Sequence, residues 1–428
     1  MNAAGSAAAP GIHRPGGLLW HRDFRLLWSG ETVSQVGTAM AVVAMPLAAV
    51  TVLQAGTFAV TALVAMTWLP WLLIGLPAGA WVDRLPRRAV MVACDLTAVA
   101  LYASVPLAAW AGVLTIGQLL AVGLLGGAAG VLFATAYQAY LPSLLPREQL
   151  VEGNAKMQGS AAAARLGGPG LAGLVAQALG VAVALLFNAA SFLVSCVCLI
   201  AIRTPVPRPP RAPDRQTIRA DIAEGVRFVI RDPYLRPMGL FGAVVNFALS
   251  GNQALAVVFL VRVIGAGPFA IGLLLAVPGV SGLLAAVTTR RLTRRAGTAR
   301  GLLLCVLATS PFGLLIPLAQ PGRGLVCYVA GTLIVAAGTA TASIIIASFG
   351  QAYSPPRMRG RVAATMSILL AGTSPLGALT SGALATAIGV RGTLWIMFGI
   401  VAASGPVLLT HAIRQNRDLP AREGCARA

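Results

Sequence analysis

Charge is what this 428-residue chain has least of. Only 10% of its residues are charged while 57% are apolar, and the mean hydropathy is +0.81. Soluble domains carry roughly 25% charged residues. There is too little charge here to cover a soluble surface, and no polar stretch outside the termini and one central segment is long enough for a folded soluble domain. Lysine is almost absent. Lys156 is the sole one and Met157 follows it, so the Gly-Lys-Ser/Thr of a Walker A loop is missing and a standard P-loop ATPase is excluded. Histidine is confined to His13, His21 and His411, which leaves no mid-membrane histidine for a proton relay or a metal. Of the six cysteines, Cys94, Cys196, Cys198, Cys305 and Cys327 sit inside apolar runs and Cys425 near the end. Cysteine in such runs behaves as a small hydrophobe, and neither a disulfide framework nor a zinc spacing is visible. No nucleophile–histidine arrangement appears. An enzyme, a cofactor and a resident metal are therefore not expected. The first 25 residues lack the compact apolar core of a cleavable signal peptide.

What is present is a series of apolar runs, each near the ~20 residues that a membrane-spanning helix needs. Twelve are counted, at 26–50, 58–82, 89–109, 115–141, 159–179, 181–202, 238–261, 268–289, 301–319, 325–349, 362–388 and 392–413. The 32 Lys and Arg outnumber the 12 Asp and Glu. A basic soluble protein would suggest a nucleic-acid partner, but here the arginines fill short gaps between apolar runs. Alternating the gaps leaves only Arg262, Arg323 and Arg391 on one side and Arg165 within a span; every other Lys and Arg falls on the opposite side. By the positive-inside rule that side, with both termini, is cytoplasmic. High Ala and Gly content with Arg in place of Lys suggests a bacterial gene, hence a multi-pass inner (plasma) membrane protein. The Pro- and Arg-rich segment 203–237, beginning RTPVPRPPRAPDR, divides the chain. The expected organisation is a cytoplasmic N-terminus 1–25, a six-helix bundle 26–202, the central loop 203–237, a second six-helix bundle 238–413 and a cytoplasmic C-terminus 414–428. Within the loop, Asp221 to Ile230 reads as an amphipathic surface helix or as part of a solvated linker.

The two halves repeat. Arg84 and Arg88 after the second run align with Arg290 and Arg294 after the eighth. Gln138-Ala-Tyr-Leu-Pro142 aligns with Gln351-Ala-Tyr-Ser-Pro355, and GLVAQALGV from Gly173 aligns with GALATAIGV from Gly382. The offset is nearly constant and the direction is preserved, so these are parallel repeats about an axis along the membrane normal. Such bundles bind substrate at their interface and expose it alternately to each side.

The segment Gly79-Ala-Trp-Val-Asp83-Arg84-Leu-Pro-Arg87-Arg88 resembles the loop 2–3 signature of the major facilitator superfamily. Arg165-Leu-Gly-Gly168-Pro169-Gly-Leu-Ala-Gly173 resembles its helix-5 antiporter signature. The stretches AYQAYLPSLLPREQLVEGNA, FNAASFLVS, EGVRFVIRDPYLR, GRVAATM and SPLGALTSG are similar to the branch holding the enterobactin exporter and macrolide or multidrug efflux proteins. The resemblance implies an all-α fold of two six-helix bundles. It also implies a gating role for Gly79, Asp83, Arg84 and Arg88, with Asp83 latching the cytoplasmic side in the outward-facing state and letting go on inward opening. A carboxylate at that place can cap a neighbouring helix N-terminus, and Gly79 permits close approach; alternatively the arginines only set topology. Gly168-Pro169 would bend helix 5 as a hinge or interdomain seal, or as a static kink.

Glu31, Ser34, Gln35 and Thr38 share one face of the first run, and Asn246, Ser250 and Gln253 share one of the seventh. Lipid penalises such faces, so they point into the bundle or a cavity. The resemblance implies that these two helices line the cavity; interhelical hydrogen bonding is the alternative. Arg165 within a span costs on the order of 3 kcal/mol unpaired, which calls for a carboxylate partner or an aqueous opening. Glu31 and Asp95 are the two acids inside spans, each a proton carrier or a structural ion-pair partner. The resembled branch often has acids at Thr38 and Asn188, which are neutral here, and this moves the expected proton site to Glu31 first and Asp95 second. The leading expectation is a monomeric secondary transporter exporting a hydrophobic or amphipathic small molecule by proton antiport. Export of a siderophore or other self-made metabolite, uptake, and a non-transporting receptor are the rivals.

Overall fold

The computed structural model describes Leu18, residues 21–204 and residues 216–420. His13, Arg14, the Pro-Arg stretch 205–215 and Cys425 lie outside the described residues. The described chain is helical, with no strand. Its α-helices are α1 (Arg22–Thr51), α2 (Thr57–Val82), α3 (Arg87–Trp110), α4 (Ile116–Leu144), α5 (Leu150–Leu179) and α6 (Val181–Ala201). They continue as α7 (Gln216–Arg231), α8 (Leu235–Val258), α9 (Pro268–Ala296), α10 (Thr298–Thr309), α11 (Leu325–Tyr353), α12 (Arg359–Ala403) and α13 (His411–Arg414). Among the described residues, ten helical stretches are long and apolar enough to cross a membrane. Gly389, at φ 80° and ψ 162°, breaks the longest of them, α12, in two. α5 is 30 residues long, but Arg165 and the Gly-Pro run after it lower its hydropathy and keep it out of that set.

Several boundaries differ from the hydropathy reading. α5 starts at Leu150, nearly three turns before the apolar run, because its first turns carry polar residues with good helix propensity, such as Glu152, Lys156 and Gln158. The ninth run is split: Pro311 turns α10 into a 3₁₀ segment at Ser310–Leu315. The last run ends in Gly405-Pro406, which caps α12 with a second 3₁₀ turn before the short α13.

The repeat extends to backbone conformation. Seven described residues have positive φ, and six fall into pairs at equivalent places in the two halves. Gln54 matches Gly265, Gly112 matches Gly322, and Gly180 matches Gly389. Each pair reverses the chain between consecutive helices on the same side of the molecule. Glycine adopts this region at no steric cost; Gln54, at φ 50°, is the one position filled by another residue type.

In the N-terminal half α1 packs on α5 and α6, α2 on α4, and α3 on α4 and α6. In the C-terminal half α8 packs on α12 and α9 on α11. Between the halves α5 meets α9, α2 meets α12 and α8, and α1 meets α8. These contacts gather toward one end. There a single apolar cluster crosses both halves, from Val43 and Leu47 of α1 to Val258 and Phe259 at the end of α8 and Leu394 of α12. Toward the other end each half keeps its own cluster, around Phe24, Met91 and Tyr140 in one and Met238, Leu302 and Leu408 in the other. The first end, with the loops after α1 and α8, is closed. The second, with Asp83 and Arg290, is open.

Candidate transport site and gates

α1 shows how the open end arises. From Val43 to Val50 every residue is buried, whereas Glu31, Gln35, Thr38 and Val42 form a partly or fully exposed stripe. Their spacing puts them on one face, which the packing of α1 on α5 and α6 leaves uncovered. Glu31 Oε1 accepts a 2.7 Å hydrogen bond from Gln35 Nε2 one turn on, and its Oε2 is buried without a hydrogen-bond partner. Ser34 departs from the expected stripe: it is buried on the side of α1 that packs inside the half. Gly37 explains how closely α6 approaches there, since a Cβ at Gly37 would overlap the Ser191 side chain.

Glu31 belongs to a polar cluster drawn from four helices. Asp95 of α3 is 1% exposed and lies near Ser195 of α6 and within electrostatic range of Glu31. Tyr137 of α4 is also within range of Glu31. Asp95 Oδ2 and the Tyr137 hydroxyl are buried without hydrogen-bond partners, like Glu31 Oε2. Among the described residues no basic side chain pairs with either carboxylate. Arg165 is exposed and makes no ion pair with them. Tyr137 and Ser195 had no sequence signal beyond being polar in a span; their place in the cluster depends on how α4 and α6 are rotated against α1.

The polar face of α8 is likewise divided. Asn246 Nδ2 donates to Leu370 O at 2.7 Å, Ser374 Oγ at 2.8 Å and Thr373 Oγ1 at 3.2 Å, so it ties α8 to α12. Ser250 is buried. Gln253 is exposed. Of the six expected cavity residues, Gln35, Thr38 and Gln253 retain accessible side chains, Ser34 and Ser250 do not, and Asn246 is occupied by its neighbour.

At the open end Asp83 and Arg84 are exposed, and Asp83 has no side-chain partner among the described residues. No atom lies within 4 Å of a Cβ built on Gly79. The close approach expected at this glycine is not made in this conformation. Arg87 and Arg88 act within their own half: Arg87 Nη1 donates to Ala139 O at 2.9 Å, and Arg88 to Ile200 O. They bind the start of α3 to the ends of α4 and α6.

The α5 motif is part of the closed end. A Cβ on Gly168 would overlap Ala39 of α1, and one on Gly173 would overlap the Pro268 carbonyl and crowd Gly272 of α9. Gly272 in turn faces the Pro169 carbonyl. The helix-5 motif therefore forms a seam of small residues against the other half, where backbone meets backbone. Polar links flank the seam. Gln177 Oε1 accepts from Phe269 N at 3.2 Å, and Arg262 donates to Ala55 O at 2.5 Å and Thr57 Oγ1 at 3.2 Å.

The sequence profile of the Major Facilitator Superfamily matches residues 27–374. The chain is 29% identical over 363 residues to the multidrug efflux pump Tap of Mycolicibacterium fortuitum, covering 79% of this chain and 85% of that protein. It is 28% identical over 367 residues to the Tap pump of Mycobacterium tuberculosis strain H37Rv, covering 82% and 85%. Its fold is similar to that of a bacterial homologue of the iron transporter ferroportin in an inward-facing state, at TM-score 0.71 and 18% identity over 92% of this chain and 99% of that one. It is also similar to the nucleoside transporter NupG, at TM-score 0.72 and 11% identity over 90% and 98%.

Proposed function

Starting from the chain's membership of the major facilitator superfamily, and hence from a membrane transporter of small molecules rather than an enzyme, we propose that it is a proton-driven efflux pump for hydrophobic or amphipathic compounds. Multidrug efflux is what the name of the Tap relatives states of them. The observation that carries the coupling is Glu31. It is a carboxyl on the exposed stripe of α1, one oxygen held by Gln35 and the other unpartnered, in a cluster without a basic side chain. A coupling group must load from one side and release to the other, and with no mid-membrane histidine the carboxyls are the available carriers.

In this reading the chain has twelve spans, from α1 to the part of α12 beyond Gly389, in two six-helix bundles at 26–202 and 238–413. Both termini are cytoplasmic, the open end faces the cytoplasm and the pump works as a monomer. A hydrophobic compound enters between the halves and meets Gln35, Thr38 and Gln253. Proton loading at Glu31, with Asp95 and Tyr137 beside it, accompanies the change of access. The scarcity of Arg and Lys on the exposed stripe of α1 disfavours multiply anionic substrates, which need paired cations.

The test is transport into everted membrane vesicles with a panel of lipophilic compounds, with and without an imposed pH gradient. Glu31→Gln keeps the hydrogen-bonding shape but cannot release a proton. It is expected to abolish gradient-driven accumulation while preserving substrate binding and passive exchange. Uphill transport by this variant at the normal rate would exclude Glu31 as the coupling site.

A further inference from the structure

We propose that Arg262 is the outer latch of the transport cycle, the counterpart at the closed end of Asp83 at the open end; this rests on the alternating-access reading above. The backbone there is built for the purpose. α8 does not end as an α-helix but passes into a π-helical segment of five residues, Phe259–Val263. A π turn inserts an extra residue and rotates the side chains beyond it. Phe259 and Leu260 stay fully buried while Arg262 is exposed at the rim of the closed end. From there its guanidinium crosses from one half to the other.

The acceptors are shaped from the opposite side. Gln54, in the left-handed region, reverses the chain after α1, and the Ala55 N–H is fixed on Ala49 O at 2.9 Å. The Ala55 carbonyl and the Thr57 hydroxyl, at the first residue of α2, then receive the two ends of the guanidinium. Arg262 thus joins the end of α8 to the loop that joins α1 and α2.

The chemistry suits a contact that must release. Arg262 has no carboxylate partner among the described residues. A carbonyl and a hydroxyl hold a guanidinium less strongly than a carboxylate does, and at an exposed rim water can take their place. The α2 N-terminus also carries a partial positive charge that weakens the cation's preference for the site. The second link, Gln177 Oε1 to Phe269 N, is of the same kind: a side chain of one half meeting the backbone of the other. Of the three arginines on this side of the sequence, Arg262 donates across the seam, while Arg391 donates to Ala319 within its own half.

The experiment uses the full-length transporter in lipid nanodiscs, with its cysteines replaced by alanine and transport verified. One spin-label pair at Val113 and Leu318 reports the closed end, and another at Leu85 and Thr288 reports the open end. Arg262→Ala is expected to raise the ratio of outward-open to inward-open molecules about threefold to tenfold. The Val113–Leu318 distances should lengthen and the Leu85–Thr288 distances shorten. Gln177→Leu, which leaves Arg262 in place, should move both distances in the same sense by a smaller factor. Asp83→Asn should move them in the opposite sense, and Arg262→Ala with Asp83→Asn should return toward the starting distribution. A merely structural role for Arg262 would broaden both distributions without exchanging them. Unchanged distances in both Arg262→Ala and Gln177→Leu would overturn the latch. If a membrane-impermeant reductant added outside intact cells quenches the Leu85–Thr288 pair instead, the assignment of sides fails, while the exchange of distances still decides the latch.

Discussion

Asn188 is a case where one side chain tests the packing of a whole half. It lies on α6 with 0% exposure, and neither its amide oxygen nor its nitrogen has a hydrogen-bond partner. The Ser191 hydroxyl beside it is turned to the Asn188 backbone carbonyl at 2.7 Å. An unpaired buried amide is a net cost to the folded state, and removing it in favour of an apolar group of similar volume is neutral or stabilising. Asn188→Leu is therefore expected to leave transport intact and to stabilise the protein by up to about 1 kcal/mol, read as a raised melting temperature in detergent. A fall of several degrees would mean that the amide has a partner, such as a buried water. Glu31 makes the contrast. Both are polar groups with unpartnered atoms in a span, but Glu31 sits on a partly exposed stripe and Asn188 is fully buried against Gly37 of α1.

Among the longer helices, α7 is the one that the hydropathy reading leaves outside every span. Its described face packs on the start of α12: Val229 is buried in the C-terminal cluster with Met358 and Val362, and Glu224 pairs with Arg361. Gly225 makes this possible, because a Cβ there would come within 2.8 Å of Thr365 Oγ1 and 2.9 Å of the Arg361 carbonyl. Val226 and Ile230 remain exposed next to Arg227 and Arg231. Apolar and basic residues so interleaved on a helix suit the membrane interface. Gly225→Leu should lift α7 off α12. Overpacking of this kind costs about 1–3 kcal/mol, and the expected readout is faster proteolysis within 203–231 with the remaining chain still protected. Unchanged proteolysis would mean that α7 is not held by this contact.

For the whole molecule, sidedness is the property most open to test. Reporter fusions after Leu53, Ala111, Gln320 or Gly389 should read external, and fusions near Arg88, Arg211, Arg295 and Arg427 cytoplasmic. One long-loop fusion reading the opposite side breaks the twelve-span arrangement. Much of the architecture was legible in the sequence because spanning helices follow from apolar length alone, and the matched glycines at 180 and 389 were already visible in the aligned GLVAQALGV and GALATAIGV repeats. The site was legible only in part. The i, i+3, i+4, i+7 spacing found Glu31, Gln35 and Thr38, but it also included Ser34, which the packing turns inward. Tyr137, Ser195 and the acceptors of Arg262 escaped notice because each matters through the rotation or register of a helix far away in sequence, and hydropathy has no component that reports rotation. Arg165 and Asp95 were expected as possible ion-pair partners; the structure leaves the arginine exposed and sets the carboxylate against Glu31 instead.

The seam between α5 and α9 bears on how fast such a machine can turn over. Pro169 and Gly173 meet Gly272 of α9 with almost no side chain between them. Interlocked leucines would have to leave their rotamer wells together before the halves could separate, and dense interdigitation resists that. The smooth faces of this one seam part without any such rearrangement. Were the halves to part here, the α5–α9 seam would open as a rigid-body motion on the microsecond-to-millisecond scale of domain movements, and the side chains left to repack would be those of the apolar cluster around Leu47, Phe259 and Leu394.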